Sequence, residues 1–352
     1  MNKSRSLAAA LALGLSGALA LTGCGSQEPA ASAAPVDYDC ANPSPVGQPI
    51  PVTFAANAIV SNGAVYAGLK EGFFKEHGLE IEIQPVANVS AAISSVQGGT
   101  TDFGFATSVS LFQAVDSGVP ISVVAPFAGI APNYYENMKN GVKGYTTEVT
   151  ALVAAPGSGI KSPADLAGRT VAVADARGQS ELTTRFVINE AGADADSVNY
   201  TVMAFPDSLN AFKAGQVDAI FTVDPFLSQA VAAGGEVISW PGVETFHEGP
   251  TSAIISSNKF IESAPQTVAR FTCAIQESNE FANENPDAVR EATAVAQGVE
   301  AATLATATVP YFYSTADLAG FERFAGIMHD FGFVTNEVDV QSVVLPRALS
   351  NG

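Results

Sequence analysis

Side chains able to do chemistry are few and scattered in this sequence. His77, His247 and His329 lie far apart, and Cys24, Cys40 and Cys273 form neither a Cys-x-x-Cys pair nor a cluster with histidine. Such spacing encodes no zinc site and no cysteine nucleophile with a neighbouring base. A glycine-rich phosphate loop carrying lysine is absent as well, so nucleotide hydrolysis has no signature here. What remains is a set of short polar residues. Asn57, Ser61, Asn62, Asn88, Ser90, Thr107 and Ser108 fall in the first part of the chain. Gly178, Gln179, Ser180 and Asp224 fall in the second, with Arg177 the one cation among them. Their chemistry is reversible binding. Hydroxyls, amides and free backbone N–H groups hold a polar or anionic group. A guanidinium grips a sulfonate or carboxylate with two parallel bonds. Asp224 either caps a helix or accepts from a ligand N–H. No catalytic group and no metal ligand is assigned.

These residues act together only if the fold gathers them, and an internal duplication says how. Residues 96–114 (VQGGTTDFGFATSVSLFQA) match 212–230 (FKAGQVDAIFTVDPFLSQA) at an offset of 116: Gly99 meets Gly215, Asp102 meets Asp218, Gln113 meets Gln229. Upstream the match runs at an offset of 119, laying Val52 on Val171 and Ile81–Ile83 on Tyr200–Val202. Each copy reads strand, helix, strand, helix, strand. In the first copy the strands are 52–56, 79–85 and 102–106, with helices over 64–76 and 89–97. In the second they are 170–174, 200–204 and 218–222, with helices over 180–191 and 208–214, the last capped by Asp207. Alternating strands and helices predict parallel sheets with right-handed crossovers. Two copies predict two α/β lobes, and the polar residues above sit after strands and at helix starts, where such sheets bind ligands. Thr150–Ala155 and Thr251–Ser257 read as the two strands that cross between lobes, with helices over 263–305 and 315–331 closing the first. Phe127, Tyr134 and Trp240 in the crossing segments would cover a ring or fill a core.

Composition narrows the class further. With 47% hydrophobic residues the chain can build a core, and 16 basic against 35 acidic residues give a net charge of −19. That surface repels nucleic acid. At the N-terminus Lys3 and Arg5 precede an apolar run over 7–21, too short for a comfortable span, which ends in Leu21-Thr22-Gly23-Cys24. This resembles the lipobox of bacterial lipoproteins, implying cleavage before Cys24, lipid on its sulfur and a mature charge of −21. Residues 25–50, with five prolines and five alanines, read as a flexible tether. Cys40 and Cys273 are then an even remainder in an oxidising compartment, where a disulfide between them is expected. The division is a leader over 1–23, a tether over 24–50, lobe I from 51–155 with 252–352, and lobe II from 156–251.

The sequence resembles the solute-binding proteins of ABC importers for nitrate, taurine, aliphatic sulfonates and thiamine precursors. The resemblance is carried by Glu71-Gly72-Phe73-Phe74-Lys75-Glu76-His77-Gly78-Leu79-Glu80, by 98–105, by 160–173 and by 212–220 with Pro225. It implies a type 2 periplasmic-binding-protein fold, two doubly wound lobes on a two-strand hinge, closing on a ligand that is passed to a membrane permease. It also implies a monomer on the outer face of the cell membrane, with no cofactor. A small organic anion held by Arg177 is the first expectation and a heterocycle such as a pyrimidine near Asp224 the second. Desulfinases and pyrimidine synthases share this fold, but the sequence offers neither a cleft cysteine nor a histidine-rich site.

Overall fold

The computed structural model describes residues 37–44, 47–143 and 149–349. The leader and Cys24 lie outside them. Thirteen strands appear in chain order: β1 (Ile50–Ala56), β2 (Leu79–Pro85), β3 (Phe103–Thr107), β4 (Ile121–Pro126), β5 (Ala128–Ile130), β6 (Thr150–Ala154), β7 (Thr170–Val173), β8 (Asn199–Val202), β9 (Ala219–Val223), β10 (Glu236–Ser239), β11 (Gly249–Pro250), β12 (Ser252–Ser257) and β13 (Tyr311–Phe312). They form one five-stranded sheet in the order β2-β1-β3-β12-β4 and another in the order β10-β6-β9-β7-β8. Both are mixed rather than parallel. β12 runs antiparallel to β3 and β4, and β6 runs antiparallel to β9. The strands that follow the crossings enter each sheet from the opposite end, which is why the parallel expectation fails at those positions.

The duplication is real in three dimensions, with one correction. Phe54 pairs with Phe103 in the first sheet and Val171 with Ala219 in the second. The carboxylate of Asp102 accepts from the backbone N–H and hydroxyl of Thr53, each at 2.8 Å, and that of Asp218 accepts from the N–H of Thr170 at 2.8 Å. Thr53 therefore corresponds to Thr170, an offset of 117 rather than 119. A slip of two keeps every side chain on the same face, so hydrophobic alternation could not expose it.

Other boundaries move for local reasons. The helix expected over 64–76 is two, Gly63–Glu71 and Phe73–Glu76, broken at Gly72, whose φ of 99° lies in the left-handed region. The helix expected at Ser208 starts at Phe205 with a proline in its first turn, leaving Asp207 inside it rather than at the cap. After β4 the chain forms β5 and a short helix, Tyr134–Lys139.

Three short strands form a third sheet in the order β11-β5-β13. β5 and β11 pair antiparallel, Ile130 with Gly249 and Gly129 with Pro250, and β13 pairs with the other edge of β5. A Cβ on Gly129 would stand 2.4 Å from the Gly249 carbonyl oxygen, so only glycine permits this approach. Thr150–Ala154, counted with lobe I in the sequence division, hydrogen-bonds within the second sheet.

Phenylalanines organise the larger core. Phe103 of β3 stacks on Phe271 of the helix Pro265–Glu284 with centroids 3.7 Å apart. The end of the expected tether is docked onto this same helix. Cys40 is bonded to Cys273, and Tyr38 is 4% exposed, with the guanidiniums of Arg270 and Arg347 4.7 and 5.9 Å from its ring centroid. Its hydroxyl lies 2.7 Å from Nδ1 of buried His77, whose Nε2 lies 3.0 Å from Glu277. Among the described residues no helix is long and apolar enough to cross a membrane, and no group of acidic, histidine or cysteine residues could hold a metal ion.

Candidate functional site

A cavity of about 400 Å³ lies between the two sheets, a size usual for small-molecule sites. Four helices start at it: Val89–Gln97 and Ser108–Asp116, the second reaching it through its cap Thr107, from one side, Gln179–Glu190 and Phe205–Lys213 from the other. Helix first turns hold backbone N–H groups that the helix itself does not pair, and of these Ala91 and Ser110 donate to the caps Asn88 and Thr107 and Ser108 donates to the Thr251 carbonyl. The rest of the wall is mostly apolar, with Phe105, Phe205, Phe221 and Phe226 among its residues. Phe205 and Phe226 lie 5.9 Å apart at an interplanar angle of 22°.

Six of the sequence-assigned residues line this cleft: Asn57, Ser61, Asn88, Thr107, Gln179 and Ser180. Several already have local work. Asn88 and Thr107 accept from the backbone N–H groups of Ala91 and Ser110, capping their helices. Asn57 accepts from Asn62 Nδ2 at 3.0 Å. Ser180 Oγ accepts from the N–H groups of Ala174 and Asp175 at 3.0 and 3.3 Å. Only Gln179 is left with a buried carbonyl oxygen, Oε1, that no described group satisfies.

The other six stand elsewhere. Asn62 is buried beneath Asn57, and Ser108 is buried with its hydroxyl donating to the Pro250 carbonyl. Ser90 is exposed on the first turn of its helix, off the cleft wall. Asp224 is 4% exposed and fully engaged, accepting from the N–H and hydroxyl of Ser228 and from the N–H of Thr308. Arg177, the expected anion clamp, points away from the cavity. Its guanidinium donates to the Gly332 carbonyl and lies 4.8 Å over the ring of Phe333. Its φ of 52° turns the chain at that point, and side-chain direction is what loop position alone does not give. Gly178 is also off the wall, but it has a role. A Cβ there would stand 2.5 Å from Cβ of Asp175.

Asp175 is the residue that sequence reading missed. It lines the cleft, and among the described residues its carboxylate has no hydrogen-bond or ion-pair partner. Gly178 makes room for it and Ser180 fixes its backbone. Burial alone pushes its pKa above the ordinary aspartate value near 3.8. No lysine, arginine or histidine is among the described lining residues. The signal was available. Asp175 and Phe205 follow β7 and β8 by the same strand-end rule that selected Arg177. Phe127, by contrast, is fully buried in the core, and Tyr134 and Trp240 pack partly buried against it.

The cysteines and histidines singled out in the sequence are placed as follows among the described residues. Cys40 and Cys273 are bonded to each other away from the cavity, His77 is buried beside Tyr38, and His247 stacks on Tyr135 with centroids 3.8 Å apart. Two facing sheets, a hinge ribbon and a ligand-sized gap between them define the type 2 periplasmic-binding-protein fold. The chain belongs to the NMT1/THI5 like family, whose profile matches residues 61–289. It is 25% identical over 239 residues to a putative binding protein of Brucella abortus (strain 2308), covering 67% of this chain and 68% of that one. In structure it is similar to the alkanesulfonate-binding protein SsuA from Xanthomonas axonopodis pv. citri, with a TM-score of 0.68 at 14% identity, covering 85% of this chain and 99% of the other. It is also similar to the periplasmic nitrate-binding protein NrtA from Synechocystis PCC 6803, with a TM-score of 0.66 at 11% identity over 84% and 86% of the two chains. The desulfurization enzyme DszB shares the fold at a TM-score of 0.59 and 15% identity, over 86% and 98%.

Proposed function

We propose that the chain is the extracytoplasmic solute-binding subunit of an ABC uptake system, anchored by lipid on Cys24, that holds a small ring-bearing ligand and releases it unaltered. The lobes in this reading divide at the β5/β11 ribbon. The family, the fold and the relatives named as binding proteins support the role. The ligand chemistry rests on one observation: the cleft wall has four phenylalanines and an unpartnered carboxylate, and no cation among its described residues. An organic anion would meet Asp175 unscreened, whereas a flat ring carrying N–H groups would satisfy both Asp175 and Gln179 Oε1. The heterocycle expectation therefore displaces the anion expectation, with Asp175 in the place first given to Asp224.

A thermal-shift screen of aminopyrimidines and related heterocycles against alkanesulfonates, carboxylates and nitrate tests this. A ligand at 100 times its dissociation constant adds about 2.7 kcal/mol of stability. A shift with N–H-bearing rings supports the reading. A shift confined to the anions overturns the ligand class and leaves the binding role standing. Conversion of a sulfinate or heterocycle to product would overturn the role itself.

A further inference from the structure

Arg177, excluded from the ligand site, stands where the two lobes touch. It is exposed, at the turn between β7 and the helix Gln179–Glu190. Three of its groups are fixed in different directions. Its backbone N–H donates to Glu181 of its own helix at 2.7 Å. Its carbonyl accepts from Gln113 Nε2 at 2.7 Å, from the helix Ser108–Asp116 that follows the first sheet. Its guanidinium donates to the Gly332 carbonyl and covers the Phe333 ring, both just beyond the helix Leu318–Asp330. That helix packs on Ser108–Asp116 through an edge contact between Phe112 and Phe321, so Gln113, Gly332 and Phe333 belong to one rigid neighbourhood of the first lobe. Phe186 and Phe331 add a ring contact across the same seam, with centroids 5.8 Å apart.

We infer that Arg177 is a closure latch: a second-lobe residue that clasps Gln113, Gly332 and Phe333 of the first lobe and sets how much of the protein is closed before any ligand arrives. The turn conformation is matched to this job. A φ of 52° costs a non-glycine residue energy, and the structure retains it with the carbonyl aimed at Gln113 and the side chain aimed at Phe333. The bonds span the lobes at the rim, not through the cavity, so they exist only when the lobes approach. Loss of the latch lowers the closed fraction. The apparent dissociation constant of any ligand that needs the closed form rises by the same factor, without a ligand contact being touched.

The test needs no ligand, so it stands or falls independently of the ligand class proposed above. Nitroxide labels at exposed Ser90 and Asp207, on helix starts facing each other across the cleft, report the inter-lobe distance by pulsed electron resonance in the ligand-free full chain. Arg177→Ala is expected to reduce the ratio of short to long distances about tenfold, the loss of an exposed guanidinium bond with its ring contact. Arg177→Lys, which cannot lie flat on Phe333, is expected to fall between wild type and alanine. Gln113→Ala removes the other bond and shifts the ratio the same way, and the double variant separates a shared latch from two unrelated effects. Melting temperatures within a degree or two of wild type are expected, because no core group is removed. Unchanged distance distributions in Arg177→Ala and Gln113→Ala would overturn the latch. A drop in melting temperature with the distribution intact would do so too, showing a structural role only.

Discussion

The cleft carboxyl sets the strongest residue-level expectations. Asp175 is half-buried, unpartnered among the described residues and raised in pKa by desolvation, so its ionised form is disfavoured in the ligand-free fold. A raised acid contributes stability that is present below its unfolded pKa and lost as pH rises through its folded pKa. The ligand-free protein should therefore carry a penalty at neutral pH. Asp175→Asn should raise its melting temperature there, with the difference from wild type shrinking as pH falls through the aspartate range. The same change should weaken an N–H-bearing ligand by about tenfold to a hundredfold, the worth of a hydrogen bond to a charged group, read by titration calorimetry. For the wild type, affinity should fall as acidification protonates Asp175. A variant that loses stability and keeps affinity would contradict this account. The sequence singled out this loop, and of its residues Asp175, not Arg177, lines the cleft. Position after a strand chose Arg177, while the left-handed turn and the glycine at 178 decided that Asp175 would face inward.

At the scale of elements, the duplication was legible because Asp102 and Asp218 recur at one spacing and hold equivalent strands in the same way. Removing either carboxylate should destabilise its own sheet by about 1–3 kcal/mol, since the donors it satisfies are left partly buried. Urea unfolding of Asp102→Ala and Asp218→Ala measures this. Helix periodicity placed most helices within a few residues, but it could not place the break at Gly72 or the start at Phe205, which come from backbone conformation and proline. The end of the expected tether is held at a late helix by the disulfide the sequence suggested, and the rest of it lies outside the described residues. Proline and alanine gave no sign that the Tyr38 ring would pack with two arginines. Cys40 and Cys273 are 233 residues apart in sequence, so their bond restricts a very long loop of the unfolded chain. Replacing both with serine should cost about 2–5 kcal/mol of stability and leave ligand affinity unchanged. Loss of affinity in a variant that remains folded would show that the clasp reaches the cleft.

For the molecule as a whole, the fold followed from two similar βαβ units, and the sheet order from crossings that the sequence marked only approximately. The expected crossing strands, 150–155 and 251–257, pair within the second and first sheets, and the short β5/β11 pair lies outside both. Two- and three-residue strands carry too little pattern to be read from sequence. The acidic balance describes the outer surface, while the cleft wall is mainly apolar. Calorimetric titration of the wild type, Asp175→Asn and Phe205→Ala with an aminopyrimidine tests the central claim most directly, with the recovered ligand checked by mass spectrometry. One-to-one binding, weakened at least tenfold in both variants, with the ligand recovered at its original mass, is the predicted result. Equal affinity in all three proteins, or a ligand recovered as a different compound, would contradict it.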